Sequence, residues 1–518
     1  MVCARSAGEA GGMPRRPRAL IASAAVISAV AVALTGCGIL GSIVPGLLDG
    51  GRVNTIGEVE FANDLVIPPL ADSTVVNGER QFELTAEAGG TVFVDGAKTP
   101  TLGFNQSYLG PTLVMQRDEP IRVNLRNDLD ELTTVHWHGM HLPAAMDGGP
   151  HQPINPGESR TAAWTVDQPA ATLWYHPHPH GSTEDHVARG LAGMVIVQDP
   201  EESALTLPRT YGTDDIPLIV QDVRFNADGT LNTGNRGFVG PLGDELLVNG
   251  TLGPRLAVST EAVRLRLLNA STARVYDFGF ADDRRFAQIA TDGGLLERPL
   301  ETDHVQLSPG ERAEIVVRFT AGETVVLQSR LPDLGITEGG GGERNGGADS
   351  FDVLEIVAGS NLAVSPAVPE KLTTIEPLSN PTVERQFDFD GTVINGEPMD
   401  MGRIDEVVEV GTTEAWTVRN GMDLPHNFHV HDVQFHVESI GGDAPPPELA
   451  GWKDTIYLRP HTDYRLLMRF TDYTSATEPY MYHCHLLWHE DQGMMGQFVV
   501  VKPGQDAGTI QGDNHDHH

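Results

Sequence analysis

The stretch of residues 482–494 concentrates the side chains that are most able to bind a transition metal. It contains three histidines, one cysteine and one methionine. If the chain is extended here, His483 and His485 point to one side of a strand and Cys484 points to the other. One short strand can therefore contribute to two metal centres. Thiolate, imidazole and a weak axial thioether are the ligands of a blue-copper site. In this stretch such ligands are Cys484, His489 and Met494.

A blue-copper site needs a second histidine, and three further histidine clusters supply candidates. Each contains a His-x-His unit, in which strand alternation puts both imidazoles on one face. A single His-x-His unit carries little weight, but four clusters in this order are no coincidence. They favour a metal centre over a buried cysteine among packed histidines. The three further clusters are His136 and His138; His176 and His178; and His426, His429 and His431.

The elements that must position these clusters are short strands. After residue 52 the chain alternates apolar and polar residues in short runs separated by Gly, Pro and Asp, a pattern typical of β-sandwiches. One segment occurs three times, as Arg122–Asn127, Arg264–Asn269 and Trp416–Asn420. Nine and eleven residues after each asparagine, the first and third copies have histidines, whereas the second has Phe278 and Phe280. The repeat predicts an all-β chain in which the second copy is a spacer without metal. The predicted domains are 53–205, 206–365 and 366–505.

The four clusters, together with the segment Ile394–Asp405, resemble the multicopper oxidases, the family of laccases, bilirubin oxidases and bacterial cuprous oxidases. The resemblance covers nearly all of the chain after the first 36 residues. It implies three cupredoxin-like Greek-key β-sandwich domains. It also implies four copper ions, one of type 1, one of type 2 and two of type 3.

The same resemblance implies which residues hold each copper, with the three-copper cluster lying between domains one and three. The type 1 ligands are His426, Cys484 and His489, with Met494 axial. The type 2 ligands are His136 and His429. The ligands of one type 3 copper are His138, His176 and His485, and those of the other are His178, His431 and His483.

The function that the resemblance implies is one-electron oxidation of a reducing substrate, coupled to four-electron reduction of dioxygen to water. Asp147 and Glu490 match acids of the family's proton supply; the alternative is that each is a turn or surface acid. Met422 and Asp423, just before His426, are candidates for the substrate edge of the type 1 site, and ordinary loop packing is the alternative. The substrate is either a phenolic or other organic compound or Cu(I), and the chain has no methionine-rich insert of the kind that cuprous oxidases often carry.

Two other classes compete with this interpretation. An exported, non-enzymatic, copper-binding cupredoxin-like lipoprotein would not need separate blue and three-copper sites. A cell-division protein of the same fold would lose the ligands, whereas all twelve positions are filled here. Removing residues 1–36 leaves 31 Lys+Arg against 70 Asp+Glu, a formal charge of −39. Such a surface repels nucleic acid, so no nucleic-acid partner is expected.

The N-terminus predicts export and lipidation. Residues 1–36 have the basic start and apolar run of a signal peptide, through either the general or the twin-arginine route. The run ends in Leu34–Cys37, which resembles the lipobox of bacterial lipoproteins, with Cys37 as the acylated residue. Residues 37–52 are then a tether, and a lipid anchor holds the protein on the outer side of the cytoplasmic membrane or in the periplasm. Cys3 lies in the signal, so Cys484 is unpaired in the exported chain, and metal ligation explains that. Residues 506–518 are predicted to be a disordered tail.

Overall fold

The protein is described by a computed structural model for residues 52–94, 96–234, 237–337 and 341–510. The signal peptide, Cys37 and the tether up to residue 51 lie outside the described residues. In the described part the chain forms 32 strands and little helix. None of the described helices is long and apolar enough to span a membrane. The helices are α1 (Thr183–Ala188), α2 (Pro200–Ser203) and α3 (Leu487–Asp491), with 3₁₀ turns at Ala144–Met146, Gly342–Asn345 and Pro447–Leu449.

The first sandwich consists of a five-stranded and a four-stranded sheet around its own apolar core. In β6, Ile121, Val123 and Leu125 are buried while the residues between them face outward, which is the alternation expected of a strand with one solvated face. Strand β1 (Asn63–Asp64) precedes this sandwich in the chain and lies outside it. The strands of the sandwich are β2 (Ser73–Val76), β3 (Glu79–Thr91), β4 (Thr99–Phe104), β5 (Leu113–Gln116), β6 (Pro120–Asn127), β7 (His136–His138), β8 (Ser159–Thr165), β9 (Ala171–His176) and β10 (Gly193–Gln198).

The second sandwich consists of a seven-stranded and a six-stranded sheet. Strand β1 belongs here, because Asn63 pairs with Pro254. The predicted first domain, which begins at residue 53, thus starts with residues that pair with the second sandwich. The strands are β11 (Asp215–Val223), β12 (Glu245–Val248), β13 (Thr251–Leu252), β14 (Pro254–Thr260), β15 (Ala262–Asn269), β16 (Tyr276–Phe280), β17 (Phe286–Thr291), β18 (Gly294–Thr302), β19 (His304–Leu307), β20 (Arg312–Arg318), β21 (Thr324–Arg330) and β22 (Phe351–Ala363).

The third sandwich consists of two five-stranded sheets. Beyond its last strand, the backbone N–H of Gly508 donates to the Ala476 carbonyl at 2.8 Å, and Ile510 is buried. The start of the predicted disordered tail is therefore packed on the sandwich as far as residue 510. The strands are β23 (Val383–Asp390), β24 (Val393–Ile394), β25 (Glu406–Glu409), β26 (Thr413–Asn420), β27 (His426–Val430), β28 (Phe435–Ile440), β29 (Thr455–Leu458), β30 (Asp463–Arg469), β31 (Tyr480–His483) and β32 (Met495–Val501).

The three repeated asparagines, Asn127, Asn269 and Asn420, end strands β6, β15 and β26. All three are fully buried. Each side-chain NH₂ donates to two backbone carbonyls at 2.7–3.1 Å, and each Oδ1 accepts the backbone N–H two residues further on. The asparagine thus fixes the turn that sends the chain into the strand carrying the two histidines or phenylalanines. This shared corner is the physical reason for the sequence repeat.

The register of the following strands brings the histidine clusters together in pairs. In the second sandwich the corresponding strands, β16 and β21, carry no histidine, and Phe278 and Phe280 fill the hydrophobic core instead. The prediction that the middle copy keeps the fold without these histidines is confirmed. The equivalent backbone pairs are His136 with His176, Phe278 with Ser329, and His429 with His483.

A buried ionic network joins the first sandwich to the second. Glu314 accepts hydrogen bonds from Arg264 Nε at 2.8 Å, from Arg266 Nη1 at 2.8 Å and from the Thr172 hydroxyl of the first sandwich at 2.6 Å. Burial alone would raise the pKa of Glu314, but the two guanidinium groups lower it to about 2, from an ordinary value of 4.5. Strand β15, which carries both arginines, can be buried on both faces because Glu314 neutralises their charge.

Replacing Glu314 with glutamine is expected to lower the free energy of unfolding by about 3–5 kcal/mol at pH 7, because two buried arginines lose their counter-charge. A lowered folded-state pKa stabilises the fold fully above the unfolded value and loses that contribution as the pH falls through about 2. The difference in thermal midpoint between wild type and variant should therefore shrink below pH 4.5. Glu79→Gln, which breaks a partly exposed pair with Arg122, is the control and should leave the thermal midpoint nearly unchanged. Equal losses from both variants would contradict the expectation.

Candidate metal centre

The strand that ends at His483 separates two groups of side chains, as alternation predicts. Cys484 lies in the apolar core of the third sandwich together with Tyr482 and Leu486. His483 and His485 face the first sandwich, where their Nε2 atoms approach other histidines. Three consecutive residues therefore connect two potential metal sites through a few covalent bonds.

The first group, here called the cysteine group, consists of His426, Cys484 and His489. Cys484 Sγ lies 3.5 Å from His426 Nδ1 and 3.6 Å from His489 Nδ1, and all three side chains are buried. Burial raises the pKa of the Cys484 thiol to about 12 and lowers the pKa of His489 to about 4. A thiol in such a place becomes a thiolate when a cation binds it, and neutral imidazole is the form that ligates metals.

Met494 is positioned by the same turn. Its backbone N–H donates to the His489 carbonyl at 2.9 Å, and its carbonyl accepts from the Cys484 N–H at 3.1 Å. Its side chain is fully buried in the same core as Cys484. The short helix α3 thus folds the chain back so that the cysteine, the second histidine and the methionine come from one continuous segment.

The second group, here called the histidine cluster, consists of the eight remaining imidazoles, which come equally from the first and third sandwiches. His483 Nε2 lies 3.2 Å from His178 Nε2 and 3.2 Å from His431 Nε2. Two nitrogens bound to one ion at about 2.0–2.1 Å with a tetrahedral angle lie about 3.3 Å apart. The nitrogen atoms of this triad therefore have the spacing expected of ligands to one metal ion. The eight members are His136, His138, His176, His178, His429, His431, His483 and His485.

A second triad has the same spacing but uses an unexpected atom. His176 Nε2 lies 3.4 Å from His485 Nε2 and 3.4 Å from His138 Nδ1. His138 presents Nδ1 because its Nε2 faces Asp454 Oδ1 at 3.1 Å and Thr455 Oγ1 at 3.0 Å. The family resemblance grouped these three rings, but it could not say which nitrogen of His138 faces the cluster.

His136 and His429 are the clearest test of whether cations fit here. His136 Nδ1 donates to the Asp147 carbonyl at 3.0 Å and His429 Nδ1 to the Asp454 carbonyl at 2.9 Å, so in each ring Nε2 carries the lone pair. Both Nε2 atoms are buried, with no hydrogen-bond partner among the described residues. Leaving such an acceptor unsatisfied costs about 1–3 kcal/mol. The donor set therefore fits metal ions, and thiolate with imidazole fits copper.

The two predicted acids lie inside the cluster and not on the surface. Asp147 Oδ2 accepts from His431 Nδ1 at 2.8 Å. Glu490 contacts two rings, His178 Nδ1 at 3.3 Å and His483 Nδ1 at 3.2 Å. Both acids are about 1% exposed. Neither acid lies on the surface, since both carboxylates contact imidazoles, and such contacts tune metal ligands.

The second sandwich is more than a spacer, which sequence reasoning missed. Arg312 holds both oxygens of Asp454, at 2.7 and 2.6 Å, and Asp454 in turn contacts His138. Gly310 has a φ of 85°, and a Cβ there would lie 3.1 Å from His138 Cε1 and 3.2 Å from His485 Cγ. The Pro309-Gly310-Glu311 turn was visible in the sequence, but nothing in it indicated that this turn forms one wall of the cluster.

Asn427 ties the two groups to the second sandwich and was also missed. Its Oδ1 accepts from the His485 N–H at 2.6 Å and lies 3.6 Å from Cys484 Sγ. Its Nδ2 donates to the Pro309 carbonyl at 2.8 Å. Its position between His426 and His429 was the available signal, because a polar residue in a fully buried strand needs a partner.

The surface above the cysteine group is formed by loops from two sandwiches. The carbonyl of Phe238 accepts from His489 Nε2 at 2.9 Å, and the Phe238 ring is 75% exposed. A cavity of about 760 Å³ next to it is lined by Phe238, Leu334 and Leu424, among others. Of the two predicted substrate-edge residues, Asp423 is exposed and pairs with His461 at 3.2 Å, and Met422 is partly buried.

Comparison with known proteins agrees with this geometry. Three profiles described as multicopper oxidase match residues 86–202, 174–325 and 367–504. A protein named multicopper oxidase mco from Staphylococcus haemolyticus is 35% identical over 449 residues, which cover 85% of this chain and 93% of that protein. Cell division protein FtsP from Xenorhabdus nematophila is 35% identical over 455 residues, with the same coverage of 85% and 93%. The crystal structure of a laccase from Pediococcus acidilactici superimposes with a TM-score of 0.78 at 36% identity, covering 88% of this chain and 97% of that one. The prediction of cupredoxin-like domains is confirmed.

Proposed function

The chain belongs to the multicopper oxidase family, and on that premise we propose that it oxidises phenolic or other small organic reductants, or Cu(I), while it reduces dioxygen to water. One observation carries the proposal. Cys484 lies in the cysteine group, whereas its neighbours His483 and His485 lie in the histidine cluster. A copper-storage protein has no need for this covalent connection between two kinds of site. An oxidase that separates electron entry from oxygen reduction does.

We assign four copper ions to the twelve side chains. His426, Cys484, His489 and Met494 would hold the type 1 ion, and His136 and His429 would hold the type 2 ion. The two triads of the histidine cluster hold the type 3 pair. When bound, these ions would supply the one-electron redox chemistry of the reaction.

The chain's own residues perform three tasks in this proposal. Phe238 and the buried core keep water away from the cysteine group and orient His489. Asp147 and Glu490 orient the imidazoles and place carboxylates, which can serve as general bases, close to the oxygen-reducing cluster. The small organic reductant or Cu(I) enters over Leu424 and Phe238, with Met422 and Asp423 at the rim.

The similarity to FtsP makes a non-enzymatic role the competing function. The filled ligand set favours a copper-loaded enzyme, because buried acceptors such as His136 Nε2 and His429 Nε2, which have no hydrogen-bond partner among the described residues, would destabilise a protein that bound no metal. The test is copper content together with oxygen uptake on a phenol, bilirubin, Cu(I) and Fe(II), side by side. Four coppers per chain and uptake on at least one reductant are expected. A copper-free protein, or a loaded one without oxygen uptake on any of them, would refute the proposal.

We further propose that the protein is exported and anchored through a lipid on Cys37. Cys37→Ala is expected to release the protein from membranes, or to block its processing, with oxidase activity retained. Stable anchoring needs more than one acyl chain, which a lipoprotein cysteine carries. The measurement is membrane fractionation with mass spectrometry of the N-terminus. Soluble, unmodified wild-type protein would contradict the anchor.

A further inference from the structure

Gln152 is a buried side chain that the chemistry described so far does not use. It is 2% exposed, and neither its Oε1 nor its Nε2 has a hydrogen-bond partner among the described residues. The adjacent His151, by contrast, donates from Nε2 to Gln497 Oε1 at 2.7 Å. A buried amide without partners costs free energy, and buried water is the usual partner where protein groups are missing.

The space for such a partner lies over Gly149. A Cβ on Gly149 would lie 3.2 Å from Asp147 Oδ2, 3.9 Å from Gln152 Oε1 and 3.7 Å from Met481 Cγ. The preceding Gly148 has a φ of 77°, which the backbone requires, but Gly149 has no positive φ. The backbone of Gly149 therefore does not require glycine, and its lack of a side chain leaves room beside Asp147 and Gln152. Asp147 Oδ1, on the same carboxylate, is also buried without a hydrogen-bond partner among the described residues.

We propose that Gly149 and Gln152 form a binding site for an ordered water that hydrogen-bonds to the carboxylate of Asp147. A water here meets two to four polar atoms, which is what a buried water needs. Gln152 acts through Asp147 and is a positioning residue. The water holds the carboxylate in the orientation in which it contacts His431. The consequence for oxygen reduction rests on the proposed function, whereas the water site itself does not.

Two variants change the site without touching a histidine. Gly149→Ala puts a methyl group into the space beside Asp147 and Gln152 that the water would need. Gln152→Met keeps the length of the side chain but removes both polar atoms. Gly402→Ala is the matched control, because a Cβ there also lies near an aspartate oxygen, Asp400 Oδ1 at 3.4 Å, but on the surface.

The first measurement is a high-resolution crystal structure of each variant of the copper-loaded protein. We expect water within about 3.2 Å of Gln152 and Asp147 in wild type and in Gly402→Ala, and none in Gly149→Ala. Thermal unfolding gives a second measurement that needs no activity: Gln152→Met should lower the midpoint, because the water loses a partner. Wild-type electron density without a water at this place, or a thermal midpoint raised by Gln152→Met, would overturn the proposed water site.

The second measurement distinguishes a positioning role of Gln152 in oxygen reduction from a purely structural role. With copper content unchanged, bleaching of the blue colour by substrate should stay at the wild-type rate, and return of the colour in air should slow about tenfold in both variants, with a changed solvent deuterium isotope effect. Gln152→Asn, which keeps the amide, should recover part of the rate. If the water is lost and the rate of reoxidation does not change, the positioning role is overturned. A protein without oxidase activity would refute the proposed function, but the electron density would still test the water site.

Discussion

Replacing Cys484 with serine is expected to abolish the blue colour and the oxidation of reducing substrates, while the protein stays folded and keeps about three coppers. Thiolate is the ligand that gives a blue site its colour, and serine has no comparable donor at this position. Cys484 Sγ lies 3.5 and 3.6 Å from two imidazole nitrogens, so its loss removes the ligand that completes the cysteine group. The eight imidazoles of the histidine cluster lie on the other side of the strand and keep their own contacts. Visible absorption and copper content on one sample measure both effects.

Met468→Leu is the control for this substitution. Met468 is a fully buried sulfur-containing residue in the same apolar core, and leucine replaces methionine at little cost in volume. It should stay blue and active. A Cys484→Ser protein that keeps the blue colour would refute the assignment of Cys484. Loss of all copper would instead show that the two groups form as one unit.

Much of the fold can be predicted from the sequence, because strand alternation and the corners at strand ends depend on residues that are close together in the chain. The repeated asparagines were visible as strand ends, and each turned out to fix a corner through bonds to residues within a few positions or in the facing strand. Strand alternation correctly separated Cys484 from His483 and His485. Periods of two and short spacings depend on backbone geometry alone, so one sequence is enough to detect them.

The parts that could not be predicted depend on contacts between sandwiches. The bonds from Arg312 to Asp454 and from Asp454 to His138 join residues of all three sandwiches, and no spacing within the chain encodes them. The same holds for Phe238, whose carbonyl reaches His489 from a distant loop. A lysine or arginine in a strand normally indicates a solvated face. In the second sandwich that rule fails for Arg264, because the first sandwich and Glu314 cover it.

These contacts change the role of the second sandwich. It binds no predicted metal, yet its Gly310 turn and Arg312 hold two histidines of the cluster in place. The second sandwich therefore braces a cluster whose histidines come from the other two.

Replacing Asp147 with asparagine is expected to slow the oxygen half-reaction about 10²–10⁴-fold and to leave reduction of the blue site unchanged. The amide oxygen of asparagine still accepts from His431 Nδ1, so the ring keeps its orientation and copper loading should persist. An amide cannot act as a general acid or base, whereas a carboxylate can. The enzyme should therefore bleach quickly under substrate and recover its colour slowly in air. Stopped-flow absorption of colour loss and return, with copper content on the same sample, separates the two steps.

Glu490→Gln extends the same prediction with a different structural risk. Glu490 reaches two rings, His178 and His483, with one oxygen each, whereas glutamine can accept from only one of them. Copper content must therefore be measured first, and a loaded variant should show the same slow return of colour as Asp147→Asn. Glu83→Gln, an exposed acid on the first sandwich, is the control and should leave both phases unchanged. If bleaching itself slows in the acid variants, or if the cluster coppers are missing, Asp147 and Glu490 only hold the histidines in place and the protons reach the cluster by another route.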